Sequence, residues 1–128
     1  MVDIEIPLME PETVIHPGSK NVEVINDDGV LLRYNDPSSM KVTLSKNVRV
    51  ISADAFKKCK RIADIFIPDT VRKIESGAFE NSPNIQIVSV DNSTEMENGY
   101  ESVFHGCGYI TLNVRFKDYT QAVLRRIF

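Results

Sequence analysis

A stretch of 23 residues occurs twice in succession, and this repeat limits what the chain can fold into. Residues 42–64 (VTLSKNVRVISADAFKKCKRIAD) align without a gap to residues 65–87 (IFIPDTVRKIESGAFENSPNIQI). Six positions are identical and most of them are apolar: Val48/Val71, Arg49/Arg72, Ile51/Ile74, Ala55/Ala78, Phe56/Phe79 and Ile62/Ile85. Apolar positions that repeat at this spacing, while the positions between them vary, are typical of stacked coils. The repeat therefore predicts a solenoid.

The pattern inside one unit predicts one strand per coil. Residues 65–67 (IFI) alternate as a short strand does, and Pro68 ends the pairing because it has no N–H to donate. Val71 and Ile74 are three residues apart, a spacing that favours a helical or turn-like return over a second strand. Strands from successive coils would then form a parallel sheet, with neighbours about 4.8 Å apart. Phe56 and Phe79 are expected to be buried at equivalent points.

A third copy of the repeat is present in altered form. Residues 103–107 (VFHGC) resemble residues 55–59 (AFKKC), and residues 110–114 (ITLNV) predict a fourth strand. The offset between the two similar stretches is 48 residues, so the unit that begins at Val88 carries about two extra residues. Its polar middle, residues 91–100 (DNSTEMENGY), lacks the Val-x-x-Ile pattern and is predicted to bulge out as a loop.

Both ends of the chain are predicted to cap the coils, which would otherwise expose core residues. Residues 2–6 (VDIEI) alternate as a strand, and Asp28-Gly29 between two β-rich runs is a strong hairpin signal. Residues 118–128 (DYTQAVLRRIF) place Tyr119, Val123 and Ile127 on one stripe of an amphipathic helix. The predicted organisation is one domain over residues 1–128, with an N-terminal β cap (1–41), repeats (42–114) and a C-terminal helical cap (115–128).

The repeat resembles a known family. Residues 65–82 (IFIPDTVRKIESGAFENS) fit the pattern Ile-x-Ile-Pro-x-x-Val-x-x-Ile-x-x-x-Ala-Phe-x-x-Cys/Ser of the BspA-like leucine-rich repeat, which has a period of 23. Residues 42–59 fit it too, with Ser45 in place of the proline, and residues 28–45 resemble the hairpin that often interrupts such repeats. The resemblance, over residues 28–114, implies an α/β repeat solenoid: a short, right-handed leucine-rich-repeat coil with parallel strands. It also implies protein binding or adhesion, and no catalytic residues.

Composition and charge exclude several classes of function. The 128-residue chain has a net charge of −3, which argues against a nucleic-acid partner. No apolar run approaches the roughly 18 residues that a membrane span needs, so membrane insertion is not expected. Residues 1–20 have neither a basic segment nor an apolar segment of a signal peptide. An intracellular location is therefore favoured, unless a leader that would direct the protein to the cell surface has been removed.

The residues that most often carry chemistry do not form a site in the sequence. Cys59 and Cys107 occupy equivalent positions two coils apart, on the order of 10 Å, which exceeds the roughly 7 Å that a disulfide allows. We expect two buried, reduced thiols. Neither His16 nor His105 is placed to activate a cysteine, and the spacing of ligands for zinc is lacking. The sequence therefore predicts no enzyme, no metal and no cofactor.

The outward residues of the strands are the predicted binding surface. Side chains along a strand alternate between the two faces of the sheet. Val42, Ile65, Val88 and Leu112, and the residue two positions after each of them, are therefore predicted to face the core. The other residues of the same strands are predicted to face outward. Phe66 beside Ile87 would be an exposed apolar spot among polar neighbours, as in protein-binding anchors. The predicted binding residues are Lys41, Thr43, Asp64, Phe66, Ile87, Ser89, Asp91, Thr111 and Asn113.

Three alternatives to that surface remain open. The face could be covered by residues 2–16 of the same chain. The basic cluster at 57–61 (KKCKR) could bind an acidic partner, or simply keep a turn solvated. The acidic segment 91–101, which includes Glu95, Glu97 and Glu101, could be the binding surface instead.

The function predicted from these features is non-enzymatic binding of another protein through the strand surface, of an adhesion type by family analogy. The alternative is a small intracellular inhibitor, of the kind encoded by phages or mobile elements, that blocks a host or defence enzyme. Neither reading includes a small-molecule substrate. Homo-oligomerisation is compatible with both, because two clean repeats are fewer than a solenoid usually needs.

Overall fold

The computed structural model describes residues 22–117 and 119–127. Over these residues the chain passes alternately through two sheets and forms a β-solenoid of about four turns with almost no helix. The elements in chain order are β1 (Glu23–Ile25), β2 (Val30–Tyr34), β3 (Lys41–Thr43), β4 (Val50–Ile51), β5 (Asp64–Phe66), β6 (Lys73–Ile74), β7 (Ile87–Asp91), β8 (Glu95–Met96), α1 (Tyr100–Val103), β9 (Gly108–Arg115) and β10 (Thr120–Ile127).

The predicted parallel sheet is the second of the two sheets, with strand order β10-β9-β7-β5-β3. Its strands β3, β5, β7 and β9 are parallel and in register, so that Val42, Ile65, Val88 and Leu112 are directly paired. These four side chains are buried and form one inward row. The 23-residue spacing therefore stacks equivalent residues on each other, as the repeat predicts.

The prediction of one strand per coil is wrong, because each coil contains two strands. The first sheet has the order β1-β2-β4-β6-β8, and β2, β4, β6 and β8 are parallel. Ile51 and Ile74, placed in a turn-like return by their spacing, are directly paired and fully buried in this sheet. β4 and β6 are only two residues long. Strands this short cannot be recognised from an alternation of period two, because that pattern needs at least four residues.

A column of aromatic rings runs through the core along the axis of the solenoid. The ring centroids of Tyr34 and Phe56, of Phe56 and Phe79, and of Phe79 and Phe104 lie 5.3, 4.8 and 5.3 Å apart. Phe56 and Phe79 are buried and stacked, which confirms the predicted register of the repeat. The column joins four successive coils, so each ring contributes to the packing of its neighbours.

The prediction that residues 91–100 bulge out of the solenoid is wrong, because the segment contains a strand of the first sheet between two turns. β8 continues the first sheet, Met96 pairs with Ile74, and the side chain of Met96 packs against the core. The hydroxyl of Thr94 donates a hydrogen bond to the carbonyl oxygen of Val71, at 2.8 Å. The segment is therefore a regular part of a coil, with methionine in the place of isoleucine. The short helix α1 follows it and lies where the extra residues of this unit occur.

The predicted hairpin around Asp28-Gly29 is present, because β1 and β2 pair in antiparallel fashion. Gly29 has a φ of 80°, and a Cβ atom there would lie 2.8 Å from Cγ of Arg49. Glu23 of β1 accepts hydrogen bonds from the backbone N–H and the hydroxyl of Ser45, at 2.8 and 2.6 Å. These bonds tie the hairpin to the next coil. The predicted strand over residues 2–6, and with it the start of the N-terminal cap, lies outside the described residues.

The predicted C-terminal helix is wrong: the segment is strand β10. It pairs with β9 in antiparallel fashion over eight residues, from Thr120 opposite Arg115 to Ile127 opposite Gly108. The physical reason is the length of β9, whose open edge offers the segment a full row of hydrogen-bond partners. Tertiary pairing of this kind overrides a weak local preference for helix. Asp118 and Phe128, at the two ends of the predicted helix, lie outside the described residues.

Candidate binding surface

The outward side chains of β3, β5, β7 and β9 form two rows on the outer face of the second sheet, which we call the strand face. One row contains Lys41, Asp64, Ile87 and Thr111, and the other contains Thr43, Phe66, Ser89 and Asn113. Asp91, the ninth predicted residue, lies at the end of β7 and pairs with Arg115. The structure therefore brings all nine predicted residues onto one surface. Whether they bind a partner stays a prediction.

The centre of the strand face is an apolar spot. Phe66 is 40% exposed and Ile87 is 37% exposed, and they lie diagonally on the adjacent strands β5 and β7. Large apolar side chains in the centre of a polar surface are the usual anchors of protein interfaces. Residues 2–16, the alternative cover for this face, lie outside the described residues.

Arg115 is the strand-face residue that the sequence analysis missed. Its guanidinium carbon lies 4.3 Å from the centroid of the Phe66 ring, a cation–π contact. The same guanidinium donates hydrogen bonds to the hydroxyl of Ser89 and to the carbonyl oxygen of Ile67. Alternation along β9, continued two residues beyond Asn113, places Arg115 on this face, whereas the predicted cap begins at residue 115 and so excludes it.

More aromatic surface lies near the end of β9. Tyr109 is exposed and, by alternation, is on the same side of β9 as Thr111. At the turn into β10, the rings of Phe116 and Tyr119 stack with centroids 4.8 Å apart, and Tyr119 is exposed. Aromatic side chains of this kind extend the potential contact area beyond the predicted rows.

The acidic segment 91–101 uses several of its carboxylates inside the protein. Asp91 accepts hydrogen bonds from the backbone N–H and the hydroxyl of Ser93. The carboxylate of Glu97 accepts a hydrogen bond from the backbone N–H of Ser76, at 2.9 Å, and lies 3.4 Å from the ammonium group of Lys73. Hydrogen bonds to the charged form lower the pKa of both carboxyl groups. The segment is thus held against the coil, which weakens the case for a free acidic loop.

The basic cluster 57–61 is divided by the fold. Cys59 points into the core, while Lys60 donates a hydrogen bond to the carbonyl oxygen of Glu80 at 2.7 Å. Lys57 and Lys58 are exposed and line a groove on the side of the solenoid. Three of the five residues in the cluster, Lys57, Lys58 and Arg61, are therefore exposed, and the two lysines that line the groove lie away from the strand face.

Both cysteines are free and buried, which confirms the prediction of unpaired thiols. The thiol of Cys59 donates to the carbonyl oxygen of Tyr34 at 3.1 Å, and that of Cys107 to Phe79 at 3.0 Å. Burial raises the pKa of both thiols, so they stay protonated near neutral pH. This environment suits packing and not nucleophilic chemistry.

Among the residues that the structure describes, no three His, Cys, Asp or Glu side chains are grouped as metal ligands would be. His16 lies outside those residues. Within the same ranges, none of the helical segments has the length and apolar character required to cross a bilayer.

A two-sheet solenoid with an in-register ladder of outward side chains is the architecture of a repeat protein that displays a surface. The family described as "BspA type Leucine rich repeat region (6 copies)" matches residues 33–128. The chain therefore belongs to the BspA-type leucine-rich repeat family. Repeats of this class commonly act as non-enzymatic scaffolds for protein binding or adhesion. No curated protein and no solved structure matches the chain.

Proposed function

We propose that the chain is a non-enzymatic module that binds another protein through the strand face, with Phe66, Ile87 and Arg115 at the centre of the contact. The observation that carries the proposal is the apolar spot of Phe66 and Ile87, nearly 40% exposed, in the middle of an in-register polar ladder. Truncation of an anchor side chain of this kind to alanine commonly weakens the free energy of binding by about 2 kcal/mol or more, which is roughly thirtyfold in affinity.

The order of the surface supports the proposal. Side chains on paired strands hold fixed positions, so a partner would not have to pay for ordering a loop. Arg115 is held in place by the Phe66 ring and by two acceptors, Ser89 and Ile67. Arginine and aromatic residues are enriched among the side chains that dominate binding energy.

The test is affinity capture from an extract of the source cells with three forms of the chain: wild type, Phe66→Ala and Met40→Ala. Met40 is the control because it is a large apolar side chain, 55% exposed, that is not one of the strand-face residues. We expect a protein that is retained by wild type and by Met40→Ala and is lost from Phe66→Ala. Capture of the same proteins by all three forms would overturn the proposal.

A thermal melt of each form completes the test. Phe66→Ala is expected to lower stability by only about 1 kcal/mol, because the ring is 40% exposed and is not part of the core. A fall of many degrees would mean that Phe66 belongs to the core, under a cover such as residues 2–16. The identity of the captured protein then separates an adhesive role from inhibition: a captured enzyme whose turnover falls when purified chain is added would indicate an inhibitor.

A further inference from the structure

A second surface lies on the side of the solenoid, where β2 ends and the turn after β4 passes beside it. Leu32 and Arg33 of β2 and Lys57 and Lys58 of the turn line a groove of about 590 Å³. None of the residues that line it belongs to the strand face. The volume is within the range of roughly 300–1,000 Å³ that is usual for ligand sites.

The groove is positively charged. Arg33, Lys57 and Lys58 line it with a single acidic side chain, Asp54, and all four side chains are exposed. The ion pair found among the described residues joins Lys73 to Glu97, and none of the three groove cations is paired with a carboxylate of those residues. A ligand could therefore neutralise these cations without breaking an ion pair to the described part of the chain.

The positive charge around the groove belongs to a separation of charge along the solenoid, with one basic half and one acidic half. Residues 30–61 contain eight Lys and Arg against two Asp, a net charge of +6. Residues 62–101 contain two Lys and Arg against eight Asp and Glu, a net charge of −6. The overall charge of −3 hides this separation. The basic end would steer an acidic partner towards the groove, and the acidic end would repel one elsewhere.

The groove also has an apolar part. Leu32 is 42% exposed, and Pro37 and the half-buried Tyr34 lie beside it. The ring of Tyr34 packs against that of Phe56, with the ring centroids 5.3 Å apart, so it forms a fixed wall. A ligand that fits must combine negative charge with at least one apolar side chain.

We propose that this groove binds an acidic peptide segment of a partner protein, with Asp or Glu side chains against Arg33, Lys57 and Lys58 and an aliphatic side chain against Leu32. The surface is independent of the strand face, and the proposal goes beyond the proposed function. A nucleic acid fits the groove less well. Its backbone would meet the acidic half of the solenoid, and the groove lacks an exposed aromatic ring on which a base could stack.

The experiment selects peptides without assuming a partner. A random twelve-residue library displayed on phage is selected on immobilised wild-type chain, and the enriched peptides are synthesised and measured by fluorescence anisotropy. We expect enrichment in Asp and Glu next to Leu, Ile, Val or Phe. Lys57→Glu combined with Lys58→Glu should weaken these peptides about tenfold, because two favourable charge contacts become repulsive.

Three further variants place the peptides on the molecule. Lys46→Glu is the matched control, since Lys46 is an exposed lysine in the same basic half but does not line the groove. It should change affinity less than about twofold, because a screened charge at a distance contributes little. Leu32→Ala should weaken binding severalfold, and Asp54→Asn should strengthen it.

Each contrary outcome has a distinct meaning. Enriched peptides without an excess of acidic residues would overturn the proposal, as would equal losses from Lys46→Glu and the Lys57/Lys58 double variant. If oligothymidylate of the same charge displaces the labelled peptide as effectively as unlabelled peptide does, the groove binds polyanions in general and the proposal of an acidic peptide is overturned. If acidic peptides no longer bind Phe66→Ala but still bind the Lys57/Lys58 double variant, their binding site is the strand face. That result would support the proposed function and would overturn the proposal for the groove.

Discussion

Ser82 is a polar side chain in a row of thiols. It stands between Cys59 and Cys107 in equivalent coils, is buried, and its hydroxyl has no hydrogen-bond partner among the described residues. Each cysteine donates its thiol to the carbonyl oxygen of the aromatic residue one coil earlier, Tyr34 or Phe79. The equivalent acceptor for Ser82 is Phe56. A C–O bond is shorter than a C–S bond, so the serine hydroxyl does not extend as far as a thiol.

We therefore expect Ser82→Cys to stabilise the protein. The thiol would complete the row of hydrogen bonds to Phe56 and would remove a buried hydroxyl without a partner, a net gain of about 1 kcal/mol. Chemical denaturation of wild type and variant measures the difference in the free energy of unfolding. Ser82→Ala is the control, since it removes the orphan hydroxyl without adding a donor. A Ser82→Cys variant no more stable than Ser82→Ala would show that the thiol hydrogen bond contributes nothing.

Two turns begin with the same arrangement of an aspartate followed by serine. Asp36 accepts hydrogen bonds from the backbone N–H and hydroxyl of Ser38 and from the hydroxyl of Ser39, and Asp91 is bonded in the same way to Ser93. Side-chain hydrogen bonds lower the pKa of both carboxyl groups. Folding therefore favours their charged forms.

This pKa shift predicts how stability depends on pH. A carboxyl group whose pKa is lowered by folding contributes its stability above the ordinary pKa of aspartate, about 3.9, and loses it as the pH falls through the lowered value. We expect the melting temperature to fall below about pH 4 and the fall to be shallower in the Asp36→Asn, Asp91→Asn double variant. Melting curves between pH 2 and 7 test this, and identical slopes in both proteins would contradict it.

The strands show where sequence reasoning succeeds and fails. Strands of the second sheet were predictable because Ile65 and Ile67 alternate with an outward residue and recur after 23 positions. Strands of the first sheet were not, because a two-residue strand such as Val50–Ile51 has no internal period and exists only through its neighbours. The spacing of Tyr119, Val123 and Ile127 predicts a helical stripe, whereas pairing with β9 makes the segment a strand. Because the predicted cap starts at residue 115, the prediction also leaves Arg115 out of the strand face.

The aromatic column makes the coils depend on one another along the full length of the solenoid. Phe56 and Phe79 each pack against two rings, one in the coil before and one in the coil after. Phe79→Ala should therefore cost about 3–5 kcal/mol, as is usual for a buried phenylalanine, and should loosen coils on both sides. Equilibrium denaturation measures the loss. Phe66→Ala, which removes a half-exposed ring, is the control, and a similar small loss from both variants would refute the repeat register.

Contacts between neighbouring coils join residues at nearly constant separations in the chain. The side-chain hydrogen bonds from Ala53 to Glu75, Thr94 to Val71 and Cys59 to Tyr34 span 22, 23 and 25 residues. Each new coil therefore closes a loop of similar length, and because the entropy of closure grows only slowly with loop length, the entropy lost is nearly the same at every step. Folding can proceed from one coil to the next without long-range search. Duplication or loss of one 23-residue unit in a gene would keep every remaining closure unchanged, so the length of such a protein can vary in evolution while its coils remain the same.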